Sequence, residues 1–317
     1  MTFAAAILLG LLIDRAFGWP DRLYRQIGHP VTWIGKVIST LDTQLNRPCF
    51  SPQQRKFFGI ITCATLTLVV FWLAARVQSA LLTLPLGTVA IGLLAWPLIA
   101  ARSLHDHVQA VATALQTEGL EAGRNAVAMI VGRDPSTLDE AGISRAAIES
   151  LAENASDGVI APLLWGVIFG LPGIAAYKTI NTLDSMIGYR TEKHAAFGWA
   201  SARLDDVVNY PPARLTALLF ALAGGRFQAA FTTARRDAHL HRSPNAGWPE
   251  AAMAGALDIR LSGPRSYHGT LTDDPWVNAT GADTTPDDIP RALSLYTQML
   301  WWAMAALVLL IIVGATP

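Results

Sequence analysis

Three long apolar runs constrain this chain more than any other feature. Residues 57–75, FFGIITCATLTLVVFWLAA, lie between Lys56 and Arg76 without a charge. Residues 77–101 follow at once, again free of charge. The third run is 292–317, with LYTQMLWWAMAALVLLIIVG at its centre. A helix needs about 20 mostly apolar residues to cross a bilayer, and each run supplies them, with cores near 57–75, 79–101 and 296–315. The first two predict a helical hairpin that turns near Arg76. Composition agrees. Charged residues are 15% of 317 and hydrophobic residues 52%, where a soluble domain carries roughly 25% charge. Lys plus Arg and Asp plus Glu are 24 each. No basic excess exists to neutralise phosphates, so a nucleic-acid binder is excluded. Two cysteines, Cys49 and Cys63, cannot by themselves build a disulfide framework or a structural zinc site. Cys63 sits in an apolar run and reads as a small buried thiol.

Three further segments are apolar but irregular. Residues 1–13 are short, with no basic region before them and no A-x-A site after them, and read as a retained anchor. Residues 158–177 carry Pro162, Pro172 and four glycines. Residues 215–225, within the segment 212–225, are only 11 long. Basic residues orient the whole. Segments 14–56, 102–157 and 226–291 hold seven, four and seven Lys/Arg, which places them in the cytoplasm by the positive-inside rule. Segment 178–214 holds five, which also says inside. A single crossing at 158–177 would put it outside. The segment 158–177 is therefore read as broken or re-entrant, allowed where protein or a watery cavity covers its backbone. The expected architecture is all-α: a polytopic integral membrane protein of about four to five membrane segments with cytoplasmic helical loops, forming one membrane-embedded domain over 1–317.

The polar residues cluster. Arg102-Ser-Leu-His105-Asp106-His107 opens an amphipathic helix whose apolar face is Val108, Val111, Ala112 and Leu115. Glu149, Glu153 and Asp157 stand at i, i+4 and i+8, one face of a regular helix. Like charges so spaced cost about 0.2–0.5 kcal/mol per pair, and acids entering an apolar run cost more. A cation would relieve both. Mg²⁺ fits, because it takes oxygen ligands and bridges to phosphates. The simpler reading is an acidic surface paired with Arg145. Asn181 and Asp184 (i, i+3), then Asp205 and Asn209 (i, i+4), repeat the theme beside apolar runs, as does Asp206. Capping and salt bridges to Lys178, Arg190 and Arg214 are the alternative there. Ser243-Pro-Asn245 before Pro249-Glu250 has the form of a helix start, suited to capping or to an anion. The stretch 264–290, with Asp273, Asp274, Asp283, Asp287 and Asp288, reads as a mobile loop or lid. No G-x-x-x-x-G-K-[ST], G-x-G-x-x-G, H-E-x-x-H or G-x-S-x-G occurs, which removes the familiar nucleotide, metalloprotease and hydrolase signatures.

Taken in order, the motifs resemble a known family. They are Asp14-Arg15 with Gly18 and Pro20, His29-Pro30-Val31 with Ile34-Gly35, Val131-Gly-Arg-Asp134, and Glu149-Ser-Leu-Ala-Glu-Asn154. There follow Ser156-Asp-Gly-Val-Ile-Ala-Pro162, Asn181 to Tyr189, Leu204-Asp-Asp206, Pro212-Ala-Arg214, Ser243 to Gly247, and Met253 to Leu257. The chain resembles the membrane-bound adenosylcobinamide-phosphate synthases of cobalamin biosynthesis, the CobD/CbiB type, nearly end to end. The resemblance implies an ATP-dependent acid–amine ligase. The amine is (R)-1-amino-2-propanol or its O-phosphate, and the acid is a propionate carboxyl of adenosylcobyric acid. ATP and Mg²⁺ are the implied co-substrates, with an acyl phosphate as the activated form. It further implies an inner-membrane location with a cytoplasm-facing site, and a link to later cobalamin-assembly enzymes on that membrane.

Residue roles follow as expectations. His105, Glu149, Glu153 and Asp184 are catalytic candidates, with His105 the base for the incoming ammonium. Asn154, Asn181, Asn209 and Asn245 would orient substrate. Arg133, Arg203 and Arg214 would hold phosphate through their planar forks. Asp157, Asp205 and Asp206 would hold metal. The 149–157 acids would form one half of the site, and Asp184, Asp205 and Asp206 the other. Trp33, Trp165, Trp199, Tyr189 and Tyr210 would line the corrin or simply anchor at the interface. Two rivals remain open: a Mg²⁺-dependent membrane prenyltransferase, and a non-catalytic corrinoid transporter or scaffold.

Overall fold

The computed structural model describes residues 2–132, 134–267, 270–272 and 274–314. It is 75% helical. The chain forms two compact units, each assembled from separated stretches. The first is Met1–Ala100, Ala161–Asn209 and Leu307–Pro317. The second is Ala101–Ile160 and Tyr210–Ala306.

In chain order the helices are α1 Thr2–Phe17, α2 Asp21–Ile27, α3 Pro30–Leu45, α4 Pro52–Leu81, α5 Gly87–Ala95, α6 Ala101–Thr117, α7 Leu120–Ala128 and α8 Glu140–Asn154. There follow α9 Ala161–Phe169, α10 Leu171–Ile187, α11 Trp199–Val208, α12 Tyr210–Ala223, α13 Phe227–Asp237, α14 Gly247–Leu257 and α15 Asp288–Val313. Between α14 and α15 lie two short antiparallel pairs: β1 Leu261–Ser262 with β4 Trp276–Val277, and β2 Arg265–Tyr267 with β3 Thr270–Thr272.

Three stretches among the described residues are long and apolar enough to cross a membrane: Pro52–Leu81, Gly87–Thr117 and Asp288–Val313. A fourth exists if Phe3–Phe17 and Asp21–Leu45, bent by 109°, count as one. Three or four overlaps the lower end of the expected four to five. In α4, Ser51 accepts from the Gln54 N–H, Gln54 answers on the Ser51 N–H, and Pro52 opens the first turn, so the start is capped twice over. Only 22% of its most apolar window is buried, and Leu68, Val69, Phe71, Trp72 and Leu73 face outward. Such a surface suits lipid rather than water. The hairpin turn is not at Arg76. The helix runs on to Leu81 and turns through Leu82–Leu86. A charge at the end of an apolar helix reaches the interface on its own stem, whereas Pro85 and Gly87 break the helix.

The run 158–177 is interrupted at Gly170, whose φ is +72°. The pieces are α9 with 9 residues and α10 with 17, each shorter than the about 20 residues of a typical crossing. The segment 212–225 lies in α12, which buries Pro212, Ala213, Thr216, Ala217, Leu219, Phe220, Ala221 and Ala223 within the second unit. At 14 residues it is about 21 Å long, so it is a core helix. The amphipathic reading of 102–117 matches α6, which buries Leu104, Val108, Val111, Ala112 and Leu115.

The stretch 264–290 is not a free loop where it is described. Ile259 bridges to Ala282, Arg260 holds Asp283 at 2.6 Å, and Arg242 holds Asp274 at 2.9 Å. The Asn278 N–H donates to Asp237 at 2.8 Å, and the Thr285 N–H donates to Asp288 at 2.8 Å. Its charges are spent on tying it down. Asp273 lies outside the described residues.

Candidate functional site

The first unit gathers one acidic group. Asn181 and Asp184 sit near the end of α10, and Arg203, Asp205 and Asp206 sit on α11, with Asn209 just past its last turn. Below them Ile38, Cys63, Leu183, Ile187 and Phe197 pack as an apolar cluster. The two helices approach closely because residue 198 is glycine: a Cβ there would stand 1.6 Å from the Ile187 carbonyl oxygen. The buried Tyr177 hydroxyl donates to Asn209 Oδ1 at 2.8 Å. The Asn209 amide in turn donates to Asp205 Oδ2 at 2.9 Å. The other oxygen, Asp205 Oδ1, is buried without a hydrogen-bond partner.

The electrostatics follow from this crowding. Burial, then the charge of Asp206, pushes Asp184 up to about 6. Burial, then the charge of Asp184, pushes Asp205 up to about 7, against the hydrogen bond of Asn209 and the nearby amide of Asn181. Desolvation disfavours the ionised form of each, and like charge adds to it. Arg203 is largely exposed and meets Asp206 at 3.5 Å.

The second unit carries a half-open pocket of about 260 Å³. It is lined by Glu149, Ser150, Glu153 and Asn154 of α8, by Ile130–Gly132, and by His241 and Glu250. Glu149 is buried and accepts the Ser262 N–H at 2.7 Å. The Ser150 hydroxyl donates to the Ile130 carbonyl at 2.8 Å, and the Asn154 amide donates to the Ser150 carbonyl at 2.9 Å. Glu250 is 2% exposed, and its Oε1 stands 3.6 Å from His241 Nε2. His241 Nδ1 accepts the Ser243 N–H at 3.0 Å.

Several expectations change. Glu149, Glu153 and Asn154 share the cavity, but Asp157 is not in its lining. A π-helical segment, Ala155–Ile160, starts straight after Asn154. Its wider turn breaks the 3.6-residue register on which the i+8 spacing depended. Among the described residues no three His, Cys, Asp or Glu side chains converge as a metal cage. Mg²⁺ does not require one, since it keeps waters and takes one or two carboxylates plus phosphates. Arg214 is already engaged: it donates to Asn245 Oδ1 at 2.8 Å, to the Tyr210 carbonyl at 3.1 Å and to the Pro244 carbonyl at 3.2 Å. It also lies over the Tyr210 ring at 3.5 Å. Arg214 and Asn245 therefore also fix the approach to α14. His105 faces Asp106 at 3.3 Å on α6 and is not in the cavity lining. Arg133 lies outside the described residues.

Sequence reasoning missed His241 and Glu250 as site residues. The signal was present, since Glu250 follows the Ser243-Pro-Asn245 motif and His241 precedes it by two. An acid in a helix's first turn is ordinarily explained by capping.

The comparisons with known proteins decide the family. The family model described as CobD/Cbib protein matches residues 7–296. The chain belongs to the CobD/CbiB family. It is 53% identical to cobalamin biosynthesis protein CobD of Rhodobacter capsulatus over 314 residues, 98% of this chain and 97% of that protein. It is 47% identical to the protein of the same name from a Sinorhizobium species over 303 residues, 93% of this chain and 94% of that one. Against that of Rhizobium meliloti it is 48% identical over 307 residues, 92% of this chain and 91% of that one. No solved structure matches. The family match spans the acids of both units, from Glu149 to Glu250.

Proposed function

We propose that this chain is the amide-forming enzyme of cobalamin biosynthesis that joins 1-amino-2-propanol, or its O-phosphate, to adenosylcobyric acid at the expense of ATP. One structural observation supports it best: Asp205 has a buried carboxylate oxygen without a partner beside a second acid, Asp184. Paired buried acids held by neutral amides are unfavourable alone and favourable around a hard cation. The donor set fits Mg²⁺: Asp205 and Asp184 would hold the ion, with Asp206 beside them. A bound Mg²⁺ would offset charge on the ATP phosphates as the substrate carboxylate attacks them.

The residues then divide the work. The Tyr177–Asn209 pair turns Asp205 so that Oδ1 is presented and Oδ2 is occupied. Glu149, Glu153 and Asn154 serve the amine side. The reaction proceeds through a substrate acyl phosphate, whose carbonyl carbon the amine attacks. We place it at the inner membrane, facing the cytoplasm, where later cobalamin-assembly enzymes can take the product.

The test is turnover by the purified chain with adenosylcobyric acid, amine and MgATP. Amide product is expected by mass detection, and it vanishes when ATP is omitted or Mg²⁺ is chelated. No product from folded protein sinks the synthase reading. Corrinoid binding without turnover favours a transporter or scaffold. No corrinoid binding, with transfer from a polyprenyl diphosphate, favours a prenyltransferase.

A further inference from the structure

Residues 188–198 join α10 to α11, and so join Asp184 to Asp205. This strap meets the acid-bearing helices at both of its ends. At the first, the Gly188 N–H donates to the Asp184 carbonyl at 2.7 Å. A Cβ on residue 188 would stand 1.9 Å from Asp184 Oδ1, so the carboxylate lies folded against the glycine. At the second, the Gly198 N–H donates to the His194 carbonyl at 2.8 Å, and the Ala202 N–H to the Gly198 carbonyl at 3.0 Å. The turn at His194 therefore runs straight into α11. Phe197 is fully buried between them, and a Cβ on residue 59 of α4 would stand 1.8 Å from its carbonyl oxygen. Where the strap sits decides where Asp184 and Asp205 sit.

The other hold on the strap is electrostatic, and its centre is a residue of α3. Asp42 is 7% exposed. Its Oδ2 accepts from Lys193 Nζ at 2.5 Å and lies 3.4 Å from His194 Nε2. Its Oδ1 accepts from the Asn46 amide at 2.8 Å. The same amide donates to the Lys193 carbonyl at 3.1 Å. Arg55 Nε donates to Asn46 Oδ1 at 2.6 Å, and Arg55 Nη2 donates to the carbonyls of Glu192 and Lys193. A buried carboxylate is costly unless it is paired and hydrogen-bonded, and both oxygens of Asp42 are. Among the described residues none of these side chains hydrogen-bonds to Asp184 or Asp205. Asp42 can reach the acids only through the strap.

We propose that Asp42 is a positioning residue for the acidic pair: through Lys193 and His194 it sets the strap that holds Asp184 and Asp205 at the spacing a divalent cation needs. The proposal rests on the reading of these acids as the Mg²⁺ ligands and deepens it. Loss of the Asp42 charge leaves both acids in place on formed helices but lets the distance between them vary. Removing a group that supports metal ligands from outside weakens the metal about 10–100-fold.

The experiment titrates the purified full-length chain with Mg²⁺ by calorimetry and measures turnover with adenosylcobyric acid, amine and MgATP beside it. Asp205→Asn identifies the site and is expected to remove the binding. Asp42→Asn keeps the shape of the side chain without its charge. Lys193→Met breaks the same pair from a side chain 60% exposed, which guards against a variant that does not fold. Each is expected to weaken Mg²⁺ about tenfold and to leave the KM for the amine in place, whereas Lys193→Arg keeps the cation and most of the affinity. If Asp42→Asn and Lys193→Met lower the thermal midpoint but bind Mg²⁺ as the wild type does, the contact is structural and the proposal is overturned. Equal loss in Lys193→Arg overturns it too. A wild type that binds no Mg²⁺, or binds it unchanged by Asp205→Asn, overturns the metal assignment and the proposal with it. Failure of the amide-forming reading looks different: Mg²⁺ binds, Asp205→Asn abolishes the binding, and no amide is made. The calorimetric affinities of Asp42→Asn and Lys193→Met then judge the proposal alone.

Discussion

The two acidic groups of this protein solve opposite problems. In the first unit, Asp184 and Asp205 oppose each other, with the Asn209 amide as the donor to Asp205, and both are pushed toward protonation. In the second, Glu149 is met by a backbone N–H and Glu250 by an imidazole. The first arrangement stores repulsion that a metal ion relieves. The second meets its carboxylates with groups of the protein itself. Acid content alone does not separate a metal-and-phosphate site from an amine site. What faces the carboxylates does.

The largest expected effect destroys one side of this contrast and spares the other. Gly198→Ala puts a Cβ 1.6 Å from the Ile187 carbonyl, which only a shift of α11 against α10 can relieve. Overpacking against backbone costs about 1–3 kcal/mol or more, and here it separates Asp184 from Asp205. Turnover should fall below detection and the thermal midpoint should drop. Calorimetric binding of the amine, which rests on the second unit, should persist. Loss of amine binding too would show that the contrast is false.

Next in size is Asp205→Asn, which should cut turnover by about 10²–10³, as losing an electrostatic stabiliser does, and yet stabilise the protein. Both acids have folded values above the ordinary 3.8, at about 6 and about 7. The folded state therefore binds more protons than the unfolded one between about pH 4 and 7. By linkage, stability falls as pH rises through that window, and the cost is complete above it. The Asn variant lacks its share of the cost. Its thermal midpoint should exceed the wild type's at pH 8 and match it near pH 4. Mg²⁺ at pH 8 should raise the midpoint of the wild type more than that of the variant. A variant less stable than the wild type at pH 8 would refute the stored repulsion.

How much of this was legible in the sequence depends on what each residue relies on. The long helices rest on local chemistry, and charge-free runs and caps such as Ser51-Pro52-Gln54 announced them. Asn181, Asp184, Asp205 and Asn209 were legible because their spacings hold on regular helices. Asp157 was not, since its place depended on a helical register that the π segment at Ala155–Ile160 breaks. The turn near Arg76 failed because a charge ends an apolar run without ending a helix. A further part of Arg214 was not legible: its guanidinium holds Asn245, Pro244 and Tyr210, a set of partners only folding assembles. Glu250 and His241 meet Glu149 from about 100 residues away, a distance over which no periodicity speaks.

A smaller effect tests the orientation of Asp205 without touching its charge. Tyr177→Phe removes the hydroxyl that holds Asn209. A net hydrogen bond contributes about 0.5–1.5 kcal/mol, so stability should fall by that amount, and kcat about three- to tenfold as Asn209 turns more freely. The apparent Mg²⁺ requirement should rise while the KM for the amine stays put. A raised amine KM with unchanged Mg²⁺ dependence would assign Tyr177 to the wrong side.

The smallest effect is also the sharpest statement about proton transfer. His105 was the base that sequence reasoning favoured, and a histidine at a helix start beside Asp106 is a reasonable one on chemistry alone. Position decides against it. It pairs with Asp106 at 3.3 Å, with Arg102 holding the same carboxyl at 3.2 Å, and none of the three lines the cavity. Exposed ion pairs of this kind contribute about 0–1 kcal/mol. His105→Ala should therefore change kcat with the amine by less than about threefold, within the effect of a surface substitution. A hundredfold loss would return the base to α6. The two outcomes differ by more than a factor of ten, so a single kinetic comparison of His105→Ala with the wild type chooses between them.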